Sequence, residues 1–171
     1  TNTTINEIVY KYFDGTQVLV GPGCPKNLQG WYVCRNGTEY KPVNGGTIDK
    51  DGKRQGEFIV KFSNGNVYEG NYENSNRHGY GKFTWYHGSV YEGNWENGAQ
   101  HGYGKKTWVS GNVYEGNYEN DVRHGYGKFT WASGNVYEGN YEKGARHGYG
   151  KLTWSDGETY QGEWRNGEMV D

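Results

Sequence analysis

Long apolar runs are missing from these 171 residues. No stretch approaches the roughly 20 residues that a membrane-spanning helix needs, and no signal peptide is visible. The chain opens on Thr1 rather than Met, which leaves room for a longer parent chain. Hydrophobic residues make up 32%, little for a globular core. An excess of one charge is missing too. The net charge of −2 gives no default attraction to nucleic acid or an anionic membrane. Helical patterning is absent: no segment carries apolar residues at a 3.6-residue period. Cysteine occurs only at Cys24 and Cys34. One pair is weak support for a secreted disulfide scaffold, although its spacing suits closure of a small loop, and the pairing stays open. Asn2-Thr3-Thr4 and Asn36-Gly37-Thr38 fit the glycosylation pattern, which an Asn-rich chain also meets by chance.

What is present is aromatic and small. Aromatics reach 17% and glycines number 30, so Tyr and Trp must supply the burial that Leu, Ile and Val usually provide. That mix favours strands and turns. Tyr68, Tyr91, Tyr114, Tyr137 and Tyr160 recur at a 23-residue interval, and so does His-Gly-Tyr-Gly-Lys from His78, His101, His124 and His147. A fixed period in this range marks a repeat architecture and outranks any local motif.

Each unit reads as a β-hairpin. In the unit from Tyr114, strands are expected over Val113 to Tyr118 and Tyr126 to Trp131, with Asn120 to Arg123 as the loop. Ser133-Gly134-Asn135 then turns the chain into the next unit. Alternation places Tyr114, Gly116 and Tyr118 on one face, and Gly125, Gly127, Phe129 and Trp131 on one face of the next strand. Pairing Tyr114 with Phe129 sets Gly116 against Gly127 and Tyr118 against Gly125. The other face carries Glu115 opposite Lys128 and Val113 opposite Thr130. One face is aromatic and the other charged, and a slip of one residue would invert them.

Four regular repeats span 68–159 and a partial one 160–171. Residues 45–67 read as a degenerate repeat with Gly45 in the place of Tyr68. Gly30 to Tyr40 aligns with Gly150 to Tyr160, and Tyr12 to Val18 shows the same turn signature. Residues 1–44 are therefore expected to extend the sheet as irregular hairpins, with Gly21 to Pro25 as a loop.

Tyr-Glu-Gly followed by His-Gly-x-Gly at this period resembles the MORN motif (membrane occupation and recognition nexus). The resemblance covers Tyr68 to about Thr159. It implies an all-β fold, an elongated single-layer antiparallel sheet of successive hairpins, and a noncatalytic role. Related arrays occur in junctophilins, plant phosphatidylinositol-phosphate kinases, the region before a SET methyltransferase domain, radial spoke heads and parasite cytoskeletal proteins. By that likeness a cytoplasmic, cytoskeleton-associated setting is expected, cilium or flagellum included, with a secreted one left open.

Chemistry finds little support. Repeat histidines would stand about 9 to 10 Å apart, two strands at ~4.8 Å each, whereas ligands of one zinc approach within roughly 4 Å of each other. They are expected to fix a loop by hydrogen bonds, and His87, off the period, to be exposed. Equivalent Glu-Lys pairs lack the asymmetry that an acid and a base require. No phosphate-cradling loop, nucleophile elbow or Cys-His pair is present. Aromatics and lysines fall on opposite faces, against stacking on single-stranded nucleic acid. No catalytic residue, metal or cofactor is expected.

The aromatic face carries the functional expectation. A single-layer sheet has nothing of its own to cover such a stripe, and exposed apolar patches mark interaction sites. Tyr72, Trp85, Trp95, Trp108, Tyr114, Tyr118, Phe129, Trp131, Tyr141 and Trp154 are expected to line a groove for a helical or extended protein segment. Residues 1–44 folding back over the face is the alternative. Lys106, in a phenylalanine's place, interrupts the stripe or meets an acidic residue of the bound segment. The open C-terminal edge suits pairing with a second copy. Two other readings remain: a phospholipid-binding membrane tether, and a regulatory arm of an enzyme domain outside this chain. The paired Glu and Lys rows weigh against the tether.

Overall fold

The structure is a computed structural model. It describes residues 24–170, together with the backbone pairing of three short segments before them. The strands are β1 (Tyr10–Lys11), β2 (Gln17–Val18), β3 (Val20–Gly21), β4 (Cys24–Pro25), β5 (Tyr32–Val33), β6 (Glu39–Pro42), β7 (Thr47–Ile48) and β8 (Arg54–Lys61). The regular array follows: β9 (Val67–Glu73), β10 (Asn76–Thr84), β11 (Val90–Glu96), β12 (Ala99–Thr107), β13 (Val113–Glu119), β14 (Val122–Thr130), β15 (Val136–Glu142), β16 (Ala145–Thr153), β17 (Thr159–Arg165) and β18 (Glu168–Met169). β5 to β18 form one open, antiparallel sheet of 14 strands, with β7 attached to the side of β8. The expected single-layer sheet of hairpins is what the chain builds.

Two turn types alternate, each dictated by local chemistry. Within a repeat, two residues at positive φ close the hairpin: Asn120 and Asp121 at 48° and 67°, Asn97 and Gly98 at 49° and 89°. That is the geometry of a two-residue type I′ turn, which Asn and Gly tolerate best. Between repeats, the Trp131 carbonyl accepts from Gly134 and the Trp131 N–H donates to Asn135, each at 2.9 Å, with Gly134 at φ 94°. A left-handed glycine closing a three-residue loop matches the strand twist. Trp131 therefore starts the turn rather than ending a strand.

The expected register holds from Val113↔Thr130 through Gly116↔Gly127 and then breaks. Tyr118 pairs with Arg123 instead of Gly125, so β14 carries two extra residues opposite β13. His124-Gly125-Tyr126 is this bulge. Gly125 adopts φ 63°, and an added Cβ there would meet only Asn117, at 3.8 Å. Gly125 thus serves the backbone and not an aromatic neighbour. The bulge also draws residues 122 and 123 out of the expected loop and into the strand.

The core lies on one face of the sheet. Tyr68, Tyr91, Tyr114 and Tyr137 are fully buried. Each ring lies flat over paired glycines, and a Cβ on Gly127 would run into the ring and hydroxyl of Tyr114. The Tyr114 hydroxyl donates to the Asn117 carbonyl at 2.9 Å. The tyrosine four residues on stands edge-on to it, with Tyr114–Tyr118 centroids 5.1 Å apart, and Tyr141 of the next repeat does the same at 5.3 Å. This edge-to-face ladder runs from Tyr68 to Trp164 and gives more than area burial alone. Gly127→Ala is expected to cost about 1–3 kcal/mol, because neither the paired backbone nor the clamped ring can yield. A thermal melt unchanged from the parent would refute the glycine bed.

At the N-terminal side, Tyr40, rather than Gly45, stands opposite Val60, as Tyr68 stands opposite Phe83. Gly45 lies in the turn between β6 and β7. β1–β2 and β3–β4 form separate two-stranded sheets. Gly21 pairs with Cys24, so the expected loop there is a hairpin. Residues 12–16, 22, 23 and the Asn2 pattern lie outside the described residues. Cys24 and Cys34 form a disulfide.

Candidate partner-binding face

A row of cations covers the aromatic face. Arg54, Arg77, Arg123 and Arg146 recur at the repeat interval, with Gln100 at the remaining place. The bulge brings Arg77, Arg123 and Arg146 into the strand opposite Tyr72, Tyr118 and Tyr141. The Arg77 guanidinium carbon lies 4.3 Å from the Trp95 ring centroid and 5.0 Å from that of Phe83. Arg146 lies 4.2 Å from Trp164, and Arg54 4.6 Å from Tyr72. Each such contact is worth about 0.5–2 kcal/mol according to its desolvation. Burial lowers the pKa of Arg77 and Arg146, but arginine keeps its charge at physiological pH.

The same arginines tie one hairpin to the next. Arg77, Arg123 and Arg146 donate from Nη2 to Gly98, Gly144 and Gly167 carbonyls at 2.6–2.7 Å. The backbone N–H of those glycines returns a bond to the arginine carbonyl. Along the opposite margin, Asn112 and Asn135 accept from the N–H of residues 20 further on.

The expectation of a bare aromatic face is therefore corrected. Mutual packing and guanidinium cover bury Tyr72, Trp95, Tyr114, Tyr118, Phe129 and Tyr141. Trp85, Trp108, Trp131 and Trp154 are only half-buried, one per repeat, and Phe62 heads their row. Trp131 leans on Phe129 at 4.6 Å and Trp85 on Phe83 at 4.7 Å. These four tryptophans are the part of the expected site that a partner can reach.

Position 118 holds an unmet polar group. The Tyr118 hydroxyl is buried without a hydrogen-bond partner. Tyr118→Phe should stabilise the chain by about 1–3 kcal/mol, since an unsatisfied buried donor is removed and no partner is orphaned. Urea denaturation reads this directly, and a loss of stability would mean that the hydroxyl is in use.

The outer face differs from expectation. Tyr80, Tyr103, Tyr126 and Tyr149 stand 54–60% exposed on it. Their place between the two glycines of each His-Gly-Tyr-Gly was the sequence signal for this row. The Tyr80 hydroxyl donates to Glu92 at 2.8 Å, which raises its pKa. Glu115 does stand across from Lys128, but the close ion pairs run between hairpins: Lys105–Glu115 at 2.7 Å and Lys128–Glu138 at 3.3 Å. Such exposed pairs add little stability. The repeat histidines lie in strands rather than loops, each 3.3–3.6 Å from a glutamate of its own hairpin. His87 is exposed.

Residues 68–90, 91–113, 114–136, 137–159 and 160–170 each match the family model of the MORN repeat. No curated protein matches the chain. Among solved structures, the SAS-4 (dCPAP) TCP domain in complex with a proline-rich motif of Ana2 (dSTIL) of Drosophila melanogaster is similar at 10% identity and TM-score 0.35. The likeness covers 94% of this chain and 92% of that one, and at that score it carries no argument.

Proposed function

This chain belongs to the MORN-repeat family, and on that premise we propose that it is a noncatalytic scaffold that docks an extended or helical segment of a partner protein along its tryptophan row. MORN repeats are protein- or membrane-interaction modules, generally without catalysis. The half-buried row of Trp85, Trp108, Trp131 and Trp154 carries the choice of a protein partner. Successive tryptophans stand two strands apart, about 9–10 Å. Rigid aromatics in line suit anchor residues of one continuous segment. Photocrosslinkers at positions 108 and 131, compared with position 126 on the outer face, test this in the cell of origin. Adducts from the tryptophan row are expected, and adducts from position 126 alone would overturn the reading.

Membrane tethering is the weaker reading. Lys105 and Lys128 are engaged by Glu115 and Glu138, and the net charge is −2. Little unbalanced positive potential remains at physiological salt. No pelleting with vesicles containing phosphoinositides is expected, and strong salt-sensitive pelleting would favour the tether.

The expected cytoskeletal setting meets one opposing observation. The Cys24–Cys34 disulfide supports a compartment that does not keep thiols reduced. Alkylation of unreduced native protein decides, because labelled cysteines would restore the cytoplasmic setting. Pairing of two copies along β18 stays part of the proposal. That strand has only two residues, so the dimer should be weak and concentration-dependent in sedimentation.

A further inference from the structure

The second regular repeat, residues 91–113, departs from its neighbours at two places that meet in space. Lys106 stands in a row otherwise held by Val60, Phe83, Phe129 and Leu152. Gln100 stands in the arginine row. Arg123 holds its guanidinium over Tyr114, Phe129 and Tyr141. One repeat earlier, an arginine at 100 would lie over residues 91, 106 and 118, against the Lys106 ammonium. Gln100 avoids that repulsion, and it is itself buried.

Here the guanidinium cover is interrupted. A cleft of about 410 Å³ opens, lined by Lys106, Trp108, Tyr118, Asp121, Arg123 and Phe129 among others. Lys106 Nζ lies 4.6 Å from the Trp85 ring centroid and 5.3 Å from that of Trp108. Among the described residues it makes no ion pair. Burial lowers its pKa, the mark of a partly desolvated cation. Asp121 is the cleft's carboxylate, and its Oδ1 already accepts from the Gln100 N–H at 2.8 Å. Tyr118, whose buried hydroxyl has no partner, also lines the cleft. With Lys106 and Arg123 against Asp121, the cleft carries one net positive charge.

We propose that this cleft is the specificity pocket of the groove and receives the side-chain carboxylate of an Asp or Glu in the bound partner segment. The proposal rests on the tryptophan-row reading. A carboxylate would satisfy the Lys106 ammonium through a charge-assisted bond. The apolar neighbours of that acidic residue would lie on Trp108 and Phe129. An amide in the same place would leave the ammonium desolvated and unpaired, which loses affinity. A peptide fits better than a phosphate group, because a single net charge between aromatic walls asks for one carboxylate with apolar flanks.

The test is a selection of a random-peptide display library on the full chain. The strongest selected peptide and its acid-to-amide analogue are then titrated against the parent, Lys106→Phe and Trp131→Ala. Lys106→Phe restores the residue of neighbouring repeats and is checked for folding by its melt. The acidic peptide is expected to bind the parent about tenfold or more tightly than the amide analogue, a difference of about 1.4 kcal/mol. Lys106→Phe should abolish that difference while still binding both peptides. If binding depends on Trp131 but shows no acid preference, or if the preference survives Lys106→Phe, the pocket assignment is overturned and the groove reading stands. Peptides indifferent to Trp131→Ala would sink the groove reading and the pocket with it.

Discussion

Raising the pH from 10 toward 12 is expected to unfold the array. Burial raises the phenol pKa of Tyr68, Tyr91, Tyr114, Tyr118, Tyr137 and Tyr141, with Tyr114 and Tyr137 pushed up to about 12. In the unfolded chain these groups titrate near 10. Between the two values the unfolded chain sheds protons that the folded chain retains, so stability falls as pH rises. It is fully present below pH 10. Each such tyrosine removes about 1.4 kcal/mol per pH unit. Six together remove roughly 8 kcal/mol per unit, comparable to the whole stability of an ordinary domain. Tyrosinate absorbance and far-ultraviolet circular dichroism should change together. Complete ionisation while the sheet signal persists would mean that the phenols are not sealed in the core.

Tyr114→Ala should cost about 3–5 kcal/mol, the range for deleting a buried ring. The substitution empties the space over Gly116 and Gly127 and removes the edge contacts of both Tyr118 and Tyr141. It also leaves the Asn117 carbonyl without its hydroxyl donor. Trp131→Ala should cost less, roughly 1–2 kcal/mol, because that ring is only half-buried. His124→Ala should cost under about 1 kcal/mol, since its contact with Glu119 is exposed. Urea denaturation of the three variants ranks them. A Trp131 variant weaker than the Tyr114 variant would place the core in the wrong row.

Tyr118 shows where reading the chain alone went astray. Strict alternation paired it with Gly125, yet the bulge at His124-Gly125-Tyr126 moves it opposite Arg123. A bulge of two residues keeps the face of every later side chain, so the hydrophobic pattern looks the same with or without it. Only the pairing reveals it. Arg123, taken for a loop residue, thereby became the cover of three rings. The 23-residue recurrence of arginine was visible in the chain, but its direction was not.

The sequence by itself determined the period, the alternation of aromatic and charged faces, the glycine turn between repeats and the Tyr114 to Phe129 pairing. These depend on residues a few positions apart, through side-chain alternation and the φ angles that Asn and Gly accept. The tertiary structure decided which aromatics are sealed and which remain open to a partner. It also set Tyr40 against Val60 and opened the cleft beside Lys106. Those outcomes arise between residues of neighbouring hairpins, where Tyr141 meets Tyr114 and Arg123 reaches Gly144. A long side chain that crosses from one hairpin to the next follows the twist and bulges of the sheet, which no spacing along the chain records.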